Sequence, residues 1–310
     1  MGFVKRALLW VCLGLPVGAA PAKAEDAAPP GEEGSKGRGD EAFKKAGERL
    51  KSPQTAERAA AANEMGRRGY RFRKEICELL RPLLRADPEP VVRAAAGRAL
   101  GRLGAREAVP DLVEALADSS ADVRVVAAAA LWRLPDPSAT AALLERVKDA
   151  DRSVREWSVL ALGVIGDKRS VPELVRLLGD PERAVRLAAV RSLGRVGASE
   201  GIDPIVRYMI GGKRDQEEKE EAVAAVTSMK GDGRVPALLT LLDAASNDPV
   251  QQVRILTALG QVGESQVLPS LRKHATSGPA EVRAAANKAI AEYLGRSKGA
   301  GKEGGPSPPR

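Results

Sequence analysis

The stretch GDPERAVRLAAVRSLGRVG, residues 179–197, recurs along the chain at a fixed spacing. Its relatives are ADPEPVVRAAAGRALGRLG (86–104), DSSADVRVVAAAALWRLP (118–135) and DADRSVREWSVLALGVIG (149–166). A Val-Arg pair marks each copy, and the valines, which stand 31 residues apart, are Val92, Val123, Val154 and Val185. An internal period of this length indicates a stack of similar structural units.

Each unit is predicted to contain two helices. The first carries an apolar stripe at helical spacing, formed in one copy by Val92, Ala95, Ala96, Ala99, Leu100 and Leu103. The second begins seventeen residues after the marker valine, at Val109, Thr140, Val171 and Ile202. Because one helix pair cannot bury its own stripe but a stack of pairs can, the sequence predicts an all-α solenoid of about seven antiparallel pairs plus a terminal helix.

Glycine and aspartate positions add detail to this prediction. Glycines that end the first helices in a left-handed conformation are expected at Gly104, Gly166 and Gly197. Glycines inside the stripe indicate that two helix backbones approach closely, at Gly101, Gly163, Gly194 and Gly260. An Asp-Pro pair predicts a helix N-cap followed by proline at the first helical position, at Asp87, Asp180 and Asp248.

The pattern resembles HEAT repeats, specifically the short HEAT-like type first associated with phycobilin lyases. The resemblance rests on an Asp-x4-Val-Arg-x2-Ala phrase and on LG-x-[LV]-G with a following Val-Pro, and it covers residues 52–295. It implies stacked helix pairs whose second helices line a concave face, and it specifies no activity. The pattern weakens where Glu220 and Gln252 replace arginine and where residues 211–221 stretch the fifth junction, so a looser or bent joint is expected there.

The ends of the chain differ in composition from the repeats. Residues 1–24 combine Lys5 and Arg6 with a short apolar run and Ala-Lys-Ala at 22–24, which predicts a signal peptide and export to the periplasm or cell envelope, or secretion. An uncleaved anchor is the alternative. Residues 25–51 are predicted to be a disordered acidic, Gly- and Pro-containing linker, and 296–310 a disordered basic tail. No transmembrane span is expected in the mature chain.

Composition argues against several functional classes. The net charge of +8 is concentrated toward the two ends, and the nearly balanced repeat region does not predict nucleic acid as a partner. Without the first 24 residues Cys77 is the single cysteine, and His274 is the single histidine of the chain. No histidine cluster, phosphate-binding glycine loop or nucleophile elbow is present, so we expect no metal, no cofactor and no enzymatic activity.

A conspicuous polar ladder repeats once per unit. Its members are Asp87, Arg93, Asp118, Arg124, Asp149, Arg155, Asp180 and Arg186. A structural role is favoured, in which each arginine pairs with the aspartate of its own or an adjacent unit and fixes the stacking. The alternative is that the row of arginines binds an acidic ligand.

A second row of charges lies on the predicted second helices, five residues after each anchor. It consists of Glu114, Glu145, Arg176, Arg207 and Arg272, with Thr240 between the last two. A solvated face is one interpretation, since exposed ion pairs contribute little. The other is a protein-binding stripe, and its change of sign would favour a protein segment of complementary charge order.

Two tryptophans break the repeat pattern. Trp132 occupies the place of the stripe glycines, and Trp157 the place of Ala95 and Ala188. They are candidate protein-binding residues, because aromatic side chains are enriched at binding hot spots. The alternative is that they fill a gap between adjacent units.

The segment GRRGYRFRKE, residues 66–75, concentrates positive charge around Tyr70 and Phe72. Its basic residues form a candidate anion-binding cluster: Arg67, Arg68, Arg71, Arg73 and Lys74. Such a cluster suits an anionic envelope polymer or lipid. The competing interpretation is a solvated cap on the open end of the solenoid. Together these observations predict an exported, non-enzymatic scaffold or adaptor that binds another protein, with polymer or lipid binding as the alternative function.

Overall fold

A computed structural model of the chain describes residues 36–68, 72–212 and 214–300. The predicted signal peptide lies outside these residues. In the described part there are sixteen α-helices and no strand: α1 (Lys36–Arg49), α2 (Thr55–Arg68), α3 (Arg73–Ala86), α4 (Pro90–Leu103), α5 (Val109–Ala115), α6 (Ala121–Arg133), α7 (Thr140–Arg146), α8 (Arg152–Ile165), α9 (Val171–Arg176), α10 (Arg183–Val196), α11 (Ile202–Ile210), α12 (Gln216–Ser228), α13 (Arg234–Ala244), α14 (Pro249–Val262), α15 (Leu268–Thr276) and α16 (Ala280–Ala300).

The helices from α2 onward form seven consecutive pairs followed by the terminal helix α16. This confirms the predicted α-solenoid. The even-numbered helices from α2 to α14 are the first members of the pairs, and the odd-numbered helices from α3 to α15 are the second members. The first member is the longer one in every pair except α2–α3, whose helices both have 14 residues. The chain divides into two compact units, Met1–Ala161 and Leu162–Arg310, and the boundary falls inside α8.

The apolar stripes form the interior of each unit. All four marker valines are fully buried, as are the leucines that follow three residues after three of the second-helix anchors: Val92, Val123, Val154, Val185, Leu112, Leu143 and Leu174. Burying one such side chain stabilises a fold by about 1.5–3 kcal/mol. Because every unit repeats the same contacts, each pair depends on its neighbours for stability.

The predicted glycines end their helices as expected, but only one of the three predicted aspartates is a helix N-cap. Gly104, Gly166 and Gly197 adopt left-handed φ angles of 69°, 74° and 68°. Asp248 is the N-cap of α14 and accepts a hydrogen bond from the N–H of Gln251. Asp87 and Asp180, however, are not N-caps: the helices begin three residues later, because these carboxylates accept from the backbone N–H two residues on and hold a turn.

Glycine at one position of the first helices allows neighbouring backbones to touch. The twelfth residue of a first helix packs against the tenth residue of the next first helix, in the pairs Gly66–Ala99, Gly101–Ala130, Gly163–Ser192, Gly194–Ala225 and Gly260–Ala289. A Cβ added at Gly66 would lie 2.6 Å from Ala99, and one at Gly194 would lie 2.9 Å from Ala225, closer than carbon atoms can pack. The predicted close approaches are therefore present.

Both ends of the solenoid are longer than the sequence predicted. Residues 36–49 of the expected disordered linker form α1, in which Ala46, followed by Leu50 just after the helix, is buried. Phe43, on the same stripe, stacks on Phe72 with ring centroids 4.5 Å apart. The high glycine and charge content of this segment led to the prediction of disorder, although Phe43, Ala46 and Leu50 form a short apolar stripe at helical spacing. At the other end, α16 extends to Ala300, five residues past the predicted boundary.

The polar ladder joins consecutive helix pairs. Arg93 donates two hydrogen bonds, of 2.7 and 2.8 Å, to the Asp118 carboxylate at the start of the next pair. Arg124 does the same to Asp149, with both bonds at 2.8 Å. The remaining terminal nitrogen of each arginine donates to the backbone carbonyl six residues earlier, at 2.8 Å for Arg93 and 2.9 Å for Arg124. Each guanidinium thus ties its own turn to the following one.

Two further ladder arginines also donate to the turn before their own helix. Arg155 donates to the Asp149 carbonyl, and Arg186 donates to both the Asp180 carbonyl and the Glu218 carboxylate. The ladder also includes Arg58, which the sequence analysis missed and which makes a two-bond pair with Asp87. In α12 the arginine place is taken by Lys219, paired with Asp248 at 2.9 Å, and not by Glu220 as predicted.

The fifth junction, residues 211–221, is held by more contacts than the sequence led us to expect. Asp215 and Glu218 form a capping box at the start of α12. The Tyr208 hydroxyl donates to Glu218 at 2.6 Å, and the guanidinium of Arg214 lies 3.9 Å from the centre of the Tyr208 ring. Among the described residues, the extra chain length supplies its own helix cap and hydrogen bonds, and the looser or bent joint stays a prediction.

The ladder carboxylates are committed to these contacts. Burial disfavours their ionised form, but hydrogen bonds from the arginine and from a backbone N–H outweigh burial, so the pKa of Asp87, Asp118 and Asp149 lies below its ordinary value. A carboxylate already bonded on both oxygens has little capacity left for an external ligand. The contacts favour the structural role of the ladder.

We expect Gly194→Ala to destabilise the fold by about 1–3 kcal/mol in urea unfolding, because the added Cβ meets the Ala225 backbone and forces the helices apart. This loss opposes the gain of about 1 kcal/mol that alanine usually brings to a helix interior. Gly179→Ala is the matched control, since a Cβ there meets nothing within 4 Å. Equal stability of the two variants would contradict the close-approach explanation.

Arg124→Ala should cost about 3 kcal/mol at pH 7, because it leaves the buried Asp149 carboxylate without its main partner. An aspartate in the unfolded chain has a pKa of about 3.9. Since the pKa of Asp149 is lower in the folded chain, its ionised form favours folding above that value, and the contribution is lost as the pH falls through the folded pKa. The difference between wild type and variant should therefore shrink in urea titrations below about pH 4.

The control for this experiment is Arg176→Ala, which removes an exposed ion pair with Glu173. A change of less than about 1 kcal/mol is expected there. A pH-independent effect of Arg124→Ala would show that the guanidinium acts through packing rather than through Asp149.

Candidate interaction surfaces

The charged row on the second helices is exposed throughout. Glu114 on α5 and Glu145 on α7 belong to the first unit, whereas Arg176 on α9, Arg207 on α11 and Arg272 on α15 belong to the second. Arg176 bonds to Glu173 of its own helix at 3.0 Å. Each short helix buries one side and presents this residue on the other. The first unit therefore offers carboxylates on its second helices, and the second unit offers guanidinium groups.

The two unusual tryptophans are inside the protein and do not belong to an exposed surface. Trp132 is 9% exposed and Trp157 4%, and their rings meet edge to face with centroids 6.0 Å apart. Trp132 is the twelfth residue of α6, where five other first helices have glycine, so its ring occupies space that a close backbone approach would otherwise remove. The gap-filling interpretation is the one that fits, and both residues leave the list of protein-binding candidates.

The basic cluster near the start of the solenoid is only partly described. Arg67 is exposed near the end of α2, and Lys74 is exposed in the first turn of α3. Arg73 lies 3.5 Å from the Glu107 carboxylate. Arg68 is the last residue of α2, and Arg71 lies outside the described residues, as does Tyr70. Because Phe72 is stacked on Phe43, the aromatic ring that a polymer or lipid could use is already covered on one face.

The chemically reactive side chains of the described region serve structural contacts. Burial, together with a hydrogen bond to Glu107, raises the pKa of the Cys77 thiol to about 12. His274 makes a hydrogen bond of 2.9 Å through Nδ1 with the carbonyl of Ser270, four residues earlier in the same helix. Within the described ranges, no group of three or more His, Cys, Asp or Glu side chains is placed to hold a metal ion.

An open groove lies between α12 and α14 in the second unit, and the sequence analysis did not find it. Its volume is about 940 Å³. Small apolar and hydroxyl side chains form most of its walls, with Glu220, Arg254 and Glu281 as the charged members. The other lining residues are Val223, Ala224, Thr227, Ser228, Val250, Val253, Thr257, Ala258 and Gln261.

We attribute the groove to the side chain of one residue, Thr227. Thr227 is the twelfth residue of α12, where glycine would let the next helix approach, and the tenth residue of α14 is Ala258. Both line the groove. A branched side chain at the contact position keeps the two helices apart, and the space is left open. The sequence signal was the departure from glycine at residue 227.

None of the helices in the described ranges combines the length and the apolar character that a membrane span requires. Charged residues interrupt every long helix of the solenoid.

Comparison with known proteins identifies the repeat. The sequence model of HEAT repeats matches residues 43–132, 109–183, 140–226 and 174–257. No curated protein matches the chain in sequence. Similar solved structures include the Escherichia coli protein YibA, with 19% identity over 86% of this chain and 99% of that chain and a TM-score of 0.56.

Two further structures extend the comparison. Importin beta is 15% identical over 83% of this chain and 42% of its own, with a TM-score of 0.55. The complex of CpcE and CpcF of phycocyanin lyase from Nostoc is 21% identical over 87% of this chain and 97% of its own, with a TM-score of 0.48. YibA and importin beta show the fold alone, a solenoid typical of protein-binding scaffolds. Because the HEAT matches extend over residues 43–257, more than half of the sequence, the chain belongs to the HEAT repeat family.

Proposed function

We propose that this protein is an exported, non-enzymatic scaffold or adaptor that binds another protein through the exposed faces of its second helices. The observation that carries the proposal is the charged row: Glu114 and Glu145 in the first unit, and Arg176, Arg207 and Arg272 in the second. In each helix the row residue is exposed while its neighbours on the other side are buried. Extended rows of this kind are the surfaces that solenoids offer to partners.

The charge order of the row describes the partner. Carboxylates on the first unit suit lysine or arginine side chains, and guanidinium groups on the second unit suit aspartate or glutamate. A partner that carries both basic and acidic residues therefore offers complementary charges to each unit. A uniformly negative polymer would be repelled by the first unit, so the row favours a protein over nucleic acid.

The absence of an enzymatic role is part of the proposal, and the side chains that could do chemistry support it. The Cys77 thiol is buried and has a raised pKa, which disfavours the reactive thiolate. The His274 ring is bonded to its own helix. The polar ladder, which would otherwise be the densest cluster of charge, is occupied by its internal hydrogen bonds.

Reversing the basic part of the row tests the binding site. Arg176→Glu/Arg207→Glu should abolish capture of the partner in a pull-down from a cell-envelope extract, because it places carboxylates where acidic partner residues bind. Lys230→Glu/Lys288→Glu changes the net charge equally at exposed positions away from the row and should retain capture.

Equal capture by both variants would contradict the row as the binding site. Binding that falls steeply with salt and depends on Arg67 and Arg73 would indicate the anionic polymer or lipid function in its place.

Export is tested independently of binding. In a bacterial host with a periplasm, the protein should appear in the periplasmic fraction, and mass spectrometry of the intact chain should show that it begins at Glu25. Ala24→Tyr should block this processing, because signal peptidase requires a small residue there. An unprocessed wild-type chain in the cytoplasmic fraction would refute export.

A further inference from the structure

Two first helices lack the glycine that lets neighbouring helices touch. At the twelfth position, α6 has Trp132 and α12 has Thr227, whereas the other five first helices from α2 to α14 have glycine. Both substitutions hold the following first helix at a distance. The two resulting gaps are treated differently by the rest of the chain.

The first gap is filled from within. The partner ring comes from Trp157, the sixth residue of α8, and the two indoles meet at 6.0 Å. Both are buried. This pair shows what side chain fits when the contact position is not glycine: a large aromatic ring inserted between two first helices.

The second gap is left open. The sixth residue of α14, in the place of Trp157, is Arg254, which reaches sideways to the Glu220 carboxylate on α12. The result is the groove of about 940 Å³. Its rim exposes an apolar side chain, since Val250 is 55% exposed. The hydroxyls of Thr227 and Thr257 donate to carbonyls of their own helices.

The charges of the groove are asymmetric. Glu220 and Arg254 neutralise each other, while Glu281 lines the far side, and among the described side chains no basic group forms an ion pair with it. An occupant that places a lysine or arginine beside Glu281 would complement the groove. An aromatic ring between the helices would also lie near the Arg254 guanidinium, and a cation–π contact of this kind already exists in the chain between Arg214 and Tyr208.

We propose that the groove between α12 and α14 is a docking site for a partner protein's segment that inserts an aromatic side chain between Thr227 and Arg254 and places a basic residue beside Glu281. This site is on the first helices and is separate from the charged row of the second helices. It goes beyond the function proposed above, because it supplies a second attachment point with a different chemistry.

The test uses peptide selection on the purified full chain. A phage-displayed library of random peptides about 16 residues long is selected on the wild type and counter-selected on Thr227→Trp/Arg254→Trp, which transplants the internal tryptophan pair into the groove. Enriched peptides should contain an aromatic residue with a lysine or arginine nearby. Their affinity, measured by calorimetry, should fall about tenfold or more in the double variant.

Two further variants keep the result interpretable. Thr227→Gly restores the residue that lets the helices close, and it should weaken the same peptides even if the double variant does not fold. Glu281→Gln should weaken peptides that carry the basic residue by about threefold to tenfold. Glu75→Gln, an exposed first-turn glutamate on α3, is its matched control and should have no effect.

Three outcomes would overturn the proposal: no peptide prefers the wild type over the altered grooves, the groove-dependent peptides lack aromatic residues, or Thr227→Gly binds as tightly as the wild type. Arg176→Glu/Arg207→Glu should leave peptide affinity unchanged. The two proposals therefore fail separately: the groove variants change only the affinity for the selected peptides, and the Arg176→Glu/Arg207→Glu variant changes only capture of the partner protein.

Discussion

The contact between the twelfth residue of one first helix and the tenth residue of the next sets the spacing of the solenoid. Glycine at the twelfth position brings the helix backbones so close that an added Cβ at Gly101 would lie 2.8 Å from Ala130. At that distance the stripes of both helices face one continuous interior of small side chains. The polar ladder tolerates departures from this contact, because Arg124 still pairs with Asp149 where Trp132 replaces glycine, and Lys219 still pairs with Asp248 where Thr227 replaces it.

The polar ladder works with that spacing rather than against it. An arginine that donates two bonds to the next turn and one to its own carbonyl needs the two turns at a fixed separation. The same guanidinium also donates to carbonyls of the turn before its own helix, which for Arg93 are those of Asp87 and Pro88. Specificity of stacking therefore comes from polar contacts before the helix starts and from glycine near the C-terminal ends of the first helices.

The architecture was predictable because the sequence pattern that specifies one helix pair recurs in several copies. The 31-residue period, the stripe residues such as Val92 and Leu100, and the glycines at helix ends each recur, so a single deviation does not obscure them. The wrong predictions concern residues whose side chains contact a part of the chain distant in sequence. Asp87 looked like a helix cap because proline follows it, but its carboxylate belongs to Arg58 of the preceding pair, a contact far apart in sequence.

The candidate sites were less predictable for a related reason. Trp132 and Trp157 resemble a binding surface until their mutual contact is known, and that contact joins residues of different helix pairs. Thr227 in place of glycine marks the position of the groove in the sequence, but the groove stays open because the residue opposite is Arg254 and not a second tryptophan. In contrast, exposure of the second-helix row followed directly from its place opposite the buried leucines.

The ladder also gives the stack a direction. In the first unit each arginine reaches forward, from Arg58 to Asp87, from Arg93 to Asp118 and from Arg124 to Asp149. Removal of the leading pair takes away the arginine partner of the next pair's aspartate, whereas removal of a trailing pair leaves an arginine that still donates to carbonyls of its own turn. Local unfolding from the N-terminal end therefore costs more free energy than local unfolding from the other end of this unit. The added helix α1 lies at the N-terminal end.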